Sequence, residues 1–263
     1  MSRGRIWALV LRYTYVYRRS VLRILEIFFW PAVDLLVWGF LTLYLEQRER
    51  ELPSGVTFLV GAVIFWDVIY RSQQGITISF LEDVWSRNLL NLFSAPVRVS
   101  EFVGATCVVG ILKTVVVGLY LALLAFFLYR FNLLAVGPSL LPLFVNLLLM
   151  GWALGIATTA LLLRWGQAAE ALAWAVPLAI QPFAAVFYPV SALPSWLHPL
   201  AWAIPATHVF EGMRLALRGG SAWSHLLLAT LLNFVYLALA GLLFSFLFSE
   251  ARRKGLLVKI GTQ

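Results

Sequence analysis

Charged side chains are scarce in this chain. They account for 12% of its 263 residues, against 62% for hydrophobic residues, whereas a soluble domain carries about 25% charged residues. The hydrophobic residues also gather into runs long enough for a helix to cross a bilayer, which takes about 20 residues. The composition therefore argues against a soluble globular domain and predicts an all-α membrane protein with several transmembrane helices.

Cysteine and the familiar catalytic motifs are also missing. Cys107 is the single cysteine and lies inside an apolar run, which excludes an intrachain disulfide and a cluster of thiolate metal ligands. The sequence has no HExxH, no GxGxxG and no serine-nucleophile motif, so no metal or cofactor is expected in this chain. It also lacks the GxxxxGK(S/T) loop, and any ATP-driven role therefore requires a second subunit.

The basic residues cluster before the first apolar run and after the last, in a chain with a net charge of +8. Cytoplasmic segments of membrane proteins are enriched in Lys and Arg, so we expect an integral protein of the plasma (inner) membrane with both termini in the cytoplasm. Anionic membrane lipid, not nucleic acid, is the expected partner of this charge. The clustered residues are Arg3, Arg5, Arg12, Arg18, Arg19 and Arg23 at one end, and Arg252, Arg253, Lys254 and Lys259 at the other.

Residues 1–23 alternate basic residues with aromatic and aliphatic ones, a pattern typical of an amphipathic helix at the cytoplasmic membrane interface. Residues 24–263 then form a single transmembrane domain, because the apolar runs leave no room for a sizeable soluble one. Pro177 and Pro182 fall within the fifth run, where they predict kinks. Six spans are predicted, at about residues 24–45, 57–80, 102–128, 139–163, 168–187 and 225–248.

The succession of long spans is interrupted between residues 188 and 223. This stretch holds apolar pieces that are too short to cross a bilayer and too apolar for a free loop. Such pieces dip into the membrane and return, buried against protein, so we predict a re-entrant hairpin in the outer leaflet. Glu211 and Arg214 are three residues apart and are expected to pair where this hairpin ends. The residues assigned to this outer gate are Pro189, Pro194, Trp196, Pro205, Glu211 and Arg214.

The segment Leu81–Glu101 is rich in charged and turn-forming residues, unlike the apolar sequence around it. As a helix it places apolar residues on one face and charged residues on another, with Asp83 and Arg87 spaced to pair. Pro96 disfavours helix at the residue before it, so the helix is predicted to end near residue 93 or 94. It is either a connecting loop at the membrane surface or a helix that a soluble partner grips to move the adjacent spans. The residues predicted to contact that partner are Glu82, Asp83, Val84, Trp85, Arg87, Leu89 and Leu92.

Several charged residues fall inside the predicted spans, where each costs roughly 2.5–3.5 kcal/mol at the helix centre. Asp67 and Arg71 are four apart and can pair on one helix face. Two interpretations stay open for the set: structural pairing, or a path for substrate or protons through the membrane. Its members are Asp34, Asp67, Arg71, Lys113 and Glu170.

Two further patterns are weaker. His208 and Glu211 are spaced to ligate a metal, but no second His/Glu pair accompanies them. Gly151 and Gly155 form a small-xxx-small step, which favours close packing of the fourth span against a neighbouring helix.

Three features of the chain together point to a known family. The first is Asn88–Ala105, NLLNLFSAPVRVSEFVGA, a leucine-rich segment after the second predicted span. The second is Phe187–Leu217, FYPVSALPSWLHPLAWAIPATHVFEGMRLAL, a proline-rich pattern that ends in Glu-x-x-Arg before the last span. The third is the basic amphipathic N-terminus before six spans. In these features the chain resembles the ABC-2 family of transporter permeases, and the resemblance covers nearly the whole chain.

The resemblance implies an exporter subunit that works as a homodimer with two separate ATPase subunits, which bind ATP and Mg. It implies that the segment around Glu82–Phe93 is the coupling helix resting on each ATPase, and that closure of the ATPases opens a path between the protomers. No residue specifies whether the cargo is a glycan, a lipid or another amphiphile. An ion-coupled carrier or channel working alone through the intramembrane charges is the alternative function. An enzyme acting on lipid is disfavoured by the missing motifs.

Overall fold

The computed structural model describes residues 2–48, 53–88, 91–92 and 95–254. These residues are almost entirely helical, with no β-strand among them, so the all-α prediction is confirmed. The described α-helices are α1 (Arg3–Arg18), α2 (Val21–Arg48), α3 (Pro53–Trp85), α4 (Val99–Tyr129), α5 (Leu140–Trp165), α6 (Leu172–Ile180), α7 (His198–Ala203), α8 (Pro205–Leu217) and α9 (Trp223–Arg253).

Within the described residues, four helical segments are long and apolar enough to cross a membrane. They correspond to the first, third, fourth and sixth predicted spans. α3 is 33 residues long, about 50 Å at 1.5 Å per residue, but Asp67, Arg71 and the pair Gln73–Gln74 make its sequence more polar. An integral membrane protein is thus confirmed, whereas the number of six spans is not. The four segments are Val21–Leu45, Val99–Tyr129, Leu133–Trp165 and Trp223–Arg253.

α3 lies at the centre of the bundle and packs against α2, α4 and α5. Its contact with α4 depends on glycine, because a Cβ on Gly75 would meet the backbone of Gly110. From the other side, a Cβ on Gly110 would lie 3.3 Å from the Ser72 carbonyl oxygen. The two helix backbones therefore touch at this point, with no side chain between them.

The contact of α3 with α5 uses the predicted small-xxx-small step. A Cβ on Gly155 would lie 2.9 Å from the Gln73 carbonyl oxygen, and one on Gly151 would lie 2.6 Å from the Ile69 carbonyl oxygen. The close packing predicted for these glycines is therefore present, and the neighbouring helix is α3.

The fifth predicted span, residues 168–187, is not one continuous helix. α6 has nine residues, about 13 Å of helix, and turns follow it. Pro182 lies just beyond the helix, and Ala185 has a positive φ of 50°, which a continuing right-handed helix does not contain. The sequence predicts one span with kinks at Pro177 and Pro182, whereas the chain turns soon after Ile180 instead of continuing as a kinked helix.

Two short helices, α7 and α8, occupy the stretch in which short apolar pieces were predicted. Pro205 is the first residue of α8, where its missing N–H removes no intrahelical hydrogen bond. α8 is largely buried and packs against α5 and α9. The re-entrant position of these helices in the outer leaflet stays a prediction.

Candidate coupling and transport sites

α3 ends in a Schellman motif, a hydrogen-bonded stop at the C-terminus of a helix. The Asn88 amide donates to the Asp83 carbonyl at 2.8 Å, and the Arg87 amide donates to the Val84 carbonyl at 3.0 Å. Arg87 adopts the positive φ, 53°, that this motif requires. One amphipathic helix over residues 81–93 was therefore a wrong prediction, because the first residues of that stretch are the last turn of α3.

Asp83 points into the protein instead of lining an exposed polar face. It is fully buried and accepts hydrogen bonds from the Arg12 guanidinium, from the Tyr13 hydroxyl at 2.6 Å and from the Asn88 side chain at 3.2 Å. Burial and the Asp83 charge raise the pKa of Tyr13 well above its usual value, so its hydroxyl remains a donor. The expected Asp83–Arg87 pair was a wrong prediction, since Arg87 lies beyond the helix end and Asp83 pairs with Arg12.

Glu82 is also buried, and its carboxylate pairs with Arg23 of α2, Nη1 to Oε1, at 2.8 Å. Burial and the nearby Glu82 charge raise the pKa of Tyr17 on α1. The carboxylates expected to face a soluble partner thus fasten the end of α3 to α1 and α2.

Few of the residues predicted to contact an ATPase are exposed. Val84 and Leu92 are buried in an apolar cluster with residues of α1 and α5. Of the described residues predicted to contact an ATPase, Trp85 and Arg87 are exposed, and Trp85 keeps 43% of its surface. Leu89 lies outside the described residues.

A second carboxylate, Glu101 at the start of α4, holds the beginning of α1. It accepts a hydrogen bond from the Ser2 amide at 2.7 Å and pairs with Arg5 at 3.5 Å. Together with Asp83, it fixes α1 to both ends of the connection between α3 and α4. Sequence reasoning missed these contacts, although the seven-residue spacing of Arg5 and Arg12 puts both side chains on one helix face.

The charged residues that were predicted to lie inside the spans divide into separate groups. Asp67 and Arg71 pair as predicted, with Arg71 Nε 3.2 Å from Asp67 Oδ1. Both residues line a cavity of about 310 Å³ between α2, α3 and α6, and Asp34 of α2 lines it as well. Lys113 does not line this cavity, and its ammonium group lies 3.6 Å from the centre of the Tyr17 ring.

An adjoining cavity of about 400 Å³ lies closer to the end of α3. It shares Trp30, Tyr70 and Arg71 with the first cavity, so the two form one groove along α2 and α3. Glu170 lines neither of these two cavities, and its carboxylate accepts a hydrogen bond from the Trp85 indole at 3.2 Å.

Glu211 and Arg214 pair as predicted, at 3.2 Å, and they also hold the turn after α6. The Arg214 guanidinium donates to the carbonyl oxygens of Ala185 at 2.5 Å and Tyr188 at 2.6 Å. Glu211 accepts a hydrogen bond from the Val190 amide at 2.7 Å. We call this arrangement the Glu211–Arg214 clamp, and it explains why a Glu-x-x-Arg pair follows the proline-rich stretch.

The other residues assigned to the outer gate lie near this clamp in the chain. Pro189 and Pro194 each precede a short 3-10 turn, and Trp196 is exposed. His208 Nε2 lies 2.9 Å from the Trp202 carbonyl oxygen. In the part of the chain that the structure describes, no group of three or more His, Cys, Asp or Glu side chains is placed to hold a metal ion.

A polar network between α5 and α9 was also missed by sequence reasoning. Asn233 Nδ2 donates to the side-chain oxygen of Asn146 at 3.0 Å, and the Thr230 hydroxyl donates to the same oxygen at 3.1 Å. Buried amide side chains in membrane helices need hydrogen-bond partners. The presence of Asn146 and Asn233 within apolar runs was therefore the only indication of this network in the sequence.

Comparison with known families agrees with this geometry. A sequence model of the family described as ABC-2 type transporter matches residues 5–217, well over half of the 263 residues. Comparison with curated proteins gave no significant match. The membrane domain of this family is a transport component, and the ATPase activity lies in a partner ATP-binding subunit. The chain therefore belongs to the ABC-2 type transporter family, as a membrane permease subunit.

Proposed function

We propose that this permease is the membrane subunit of an ATP-driven exporter, in which two copies of the chain act with two separate ATPase subunits. The ATPases bind ATP and Mg, and the complex lies in the plasma (inner) membrane with both permease termini in the cytoplasm. Family membership supports the ATP-binding partner. The basic residues at both ends of the chain support the orientation.

The anchored end of α3 is the observation that carries the coupling proposal. Trp85 and Arg87 are exposed there, while Glu82 and Asp83 are buried in ion pairs with α2 and α1. A force applied at Trp85 therefore acts on packed structure and not on a loose loop. Since α3 is continuous from Pro53 to Trp85, displacement of this end moves the whole helix.

The energy for the conformational change comes from a difference in how tightly the ATPases bind two arrangements of α3. ATP closes the two ATPases, the closed pair binds one arrangement of α3 more tightly than the other, and the equilibrium between the arrangements shifts. In this proposal the coupling contact consists of the end of α3 and the connection that leads through Leu92 to α4. The end of α3, held by Glu82 and Asp83, thus couples as a fixed corner of the bundle.

The groove along α2 and α3 supports a route for cargo. Asp34, Asp67 and Arg71 lie in its wall together with Trp30 and Tyr70, so it offers charged and aromatic contacts side by side. We infer that a glycan, a lipid or another amphiphile moves along this groove at the interface of the two protomers. The Glu211–Arg214 clamp then holds the turn that must move when the outer gate opens.

Trp85→Ala and Arg87→Glu test the coupling contact. Each variant is tagged and co-expressed with the candidate ATPase subunit, and both the recovered ATPase and ATP-dependent transport in inverted vesicles are measured. We expect both to fall by about tenfold or more, because a tryptophan at the centre of an interface contributes about 2 kcal/mol or more to binding. Trp223→Ala is the matched control, since this tryptophan is 59% exposed at the start of α9.

Unchanged ATPase recovery and transport in a Trp85→Ala, Arg87→Glu double variant would contradict the proposal. Net transport by the purified chain alone, without any ATPase, would instead favour an ion-coupled carrier that uses the intramembrane charges.

A further inference from the structure

Lys113 is a half-buried cation of α4, and no described carboxylate forms an ion pair with it. Its ammonium group lies 3.6 Å from the centre of the Tyr17 ring. Among the described side chains, no Asp or Glu oxygen lies within 4 Å of it. A single cation–π contact offsets only part of the cost of taking an ammonium ion out of water. The part of the chain that the structure describes therefore leaves this charge incompletely compensated.

The charges around Lys113 do not supply the missing partner. Those close enough to act on it are Glu82, Arg71 and Arg23. Glu82 pairs with Arg23 at 2.8 Å, and Arg71 pairs with Asp67 at 3.2 Å, so each arginine already has a carboxylate. Once the two arginines are paired, Lys113 and Glu26 are the charged residues of the cavity wall that form no ion pair with a described residue.

This cavity is the one of about 400 Å³ beside the end of α3, a volume typical of small-molecule sites. Trp30, Trp174 and Ile78 give it an aromatic and apolar wall. Glu26 also belongs to the wall, but it is exposed to solvent. An anionic head group would find its counter-charge at Lys113, and an attached apolar chain would lie along the indoles.

We propose that this cavity binds a phosphate-bearing amphiphile, with Lys113 as the ligand of the phosphate group. The inference rests on the proposed export function and specifies its cargo as an anionic amphiphile that binds next to the coupling contact. Phosphate oxygens suit an ammonium ligand because hydrogen bonds between charged groups are short and strong. The same chemistry would accept the head group of a membrane phospholipid or free inorganic phosphate, and the test separates these sources.

The test is equilibrium binding to the purified full-length chain in a non-ionic detergent, without an ATPase. Binding is followed by tryptophan fluorescence, since Trp30 and Trp174 line the cavity. The probes are short-chain phosphatidic acid, phosphatidylcholine of the same chain length, and inorganic phosphate. We expect saturable binding of phosphatidic acid and at least about tenfold weaker binding of the other two. If inorganic phosphate binds as tightly as phosphatidic acid, the proposal that the ligand is an amphiphile is wrong. If the two lipids bind equally, the proposal that the cavity recognises a negative charge is wrong.

Variants at Lys113 give the second arm. Lys113→Met should weaken phosphatidic acid binding by about tenfold or more, while Lys113→Arg keeps the charge and should retain binding to within about threefold. Lys254→Met is the matched control, because Lys254 is exposed and already paired with Glu250 at 2.6 Å. Unweakened binding by Lys113→Met, or equal weakening by Lys113→Met and Lys254→Met, would overturn the proposal. Because no ATPase is present in this assay, its failure is distinct from a failure of ATPase recovery in the test of the coupling contact.

Discussion

Asp83→Asn is expected to loosen α1 from the protein without unfolding the bundle. The substitution keeps the size of the side chain but removes the charge that binds Arg12 and, at 2.6 Å, the Tyr13 hydroxyl. Hydrogen bonds to charged groups contribute about 1.5–3 kcal/mol each. The Arg12 side chain is 35% exposed, so water replaces part of its interaction. We therefore expect the attachment of α1 to lose about 2 kcal/mol.

Hydrogen–deuterium exchange, read by mass spectrometry, measures this loss. About 2 kcal/mol corresponds to a roughly 30-fold larger population of the detached helix, so peptides covering residues 3–18 should exchange faster by about that factor. Peptides from α5 and α9 should keep their rates. Arg3→Gln is the matched control, since Arg3 is exposed on the same helix. Unchanged exchange of α1 in Asp83→Asn would refute the reasoning, and so would an equal acceleration in Arg3→Gln.

Two further substitutions test the packing of the bundle. Arg214→Lys should lower the unfolding temperature of the purified protein, because one ammonium group cannot pair with Glu211 and also reach the carbonyl oxygens of residues 185–188. The free energy of unfolding is expected to fall by about 2–4 kcal/mol. An unchanged unfolding temperature would contradict the role of the Glu211–Arg214 clamp. Gly155→Leu should reduce the yield of monodisperse protein in size-exclusion chromatography, because even a Cβ there would lie 2.9 Å from a carbonyl oxygen of α3. Gly118→Leu is its control, since no described atom lies within 4 Å of a Cβ at that position, and equal yields from the two variants would count against the packing argument.

The parts of the site that the sequence predicted correctly are local ones. Asp67 and Arg71, and likewise Glu211 and Arg214, lie three or four residues apart on one helix, and this spacing brings side chains together whatever the rest of the fold does. The all-α membrane character followed in the same way from the length of the apolar runs. Such features need no knowledge of which helices become neighbours.

The end of α3 was predicted incorrectly because its partners are distant in the chain. Asp83 binds Arg12, which is 71 residues away, and Glu82 binds Arg23, which is 59 residues away. A helical pattern places carboxylates on a polar face and so indicates exposure, whereas a tertiary ion pair can bury them. The end of α6 could not be predicted from its prolines either, because Pro177 lies within the helix and the chain turns only after the helix has ended.

The glycine contact between α3 and α4 has a mechanical consequence. Gly75 and Gly110 mark a point at which the backbones of α3 and α4 touch, and a tilt of α3 would pivot about this point. About 15 Å of helix separates Gly75 from Trp85, and about 33 Å separates it from Pro53 at the far end. α3 is thus a lever with unequal arms, and the ATPase would act on the short one. A stroke of roughly 1 Å at Trp85 would swing the far end by roughly 2 Å in the opposite direction, so a small movement at Trp85 would become a larger one at Pro53.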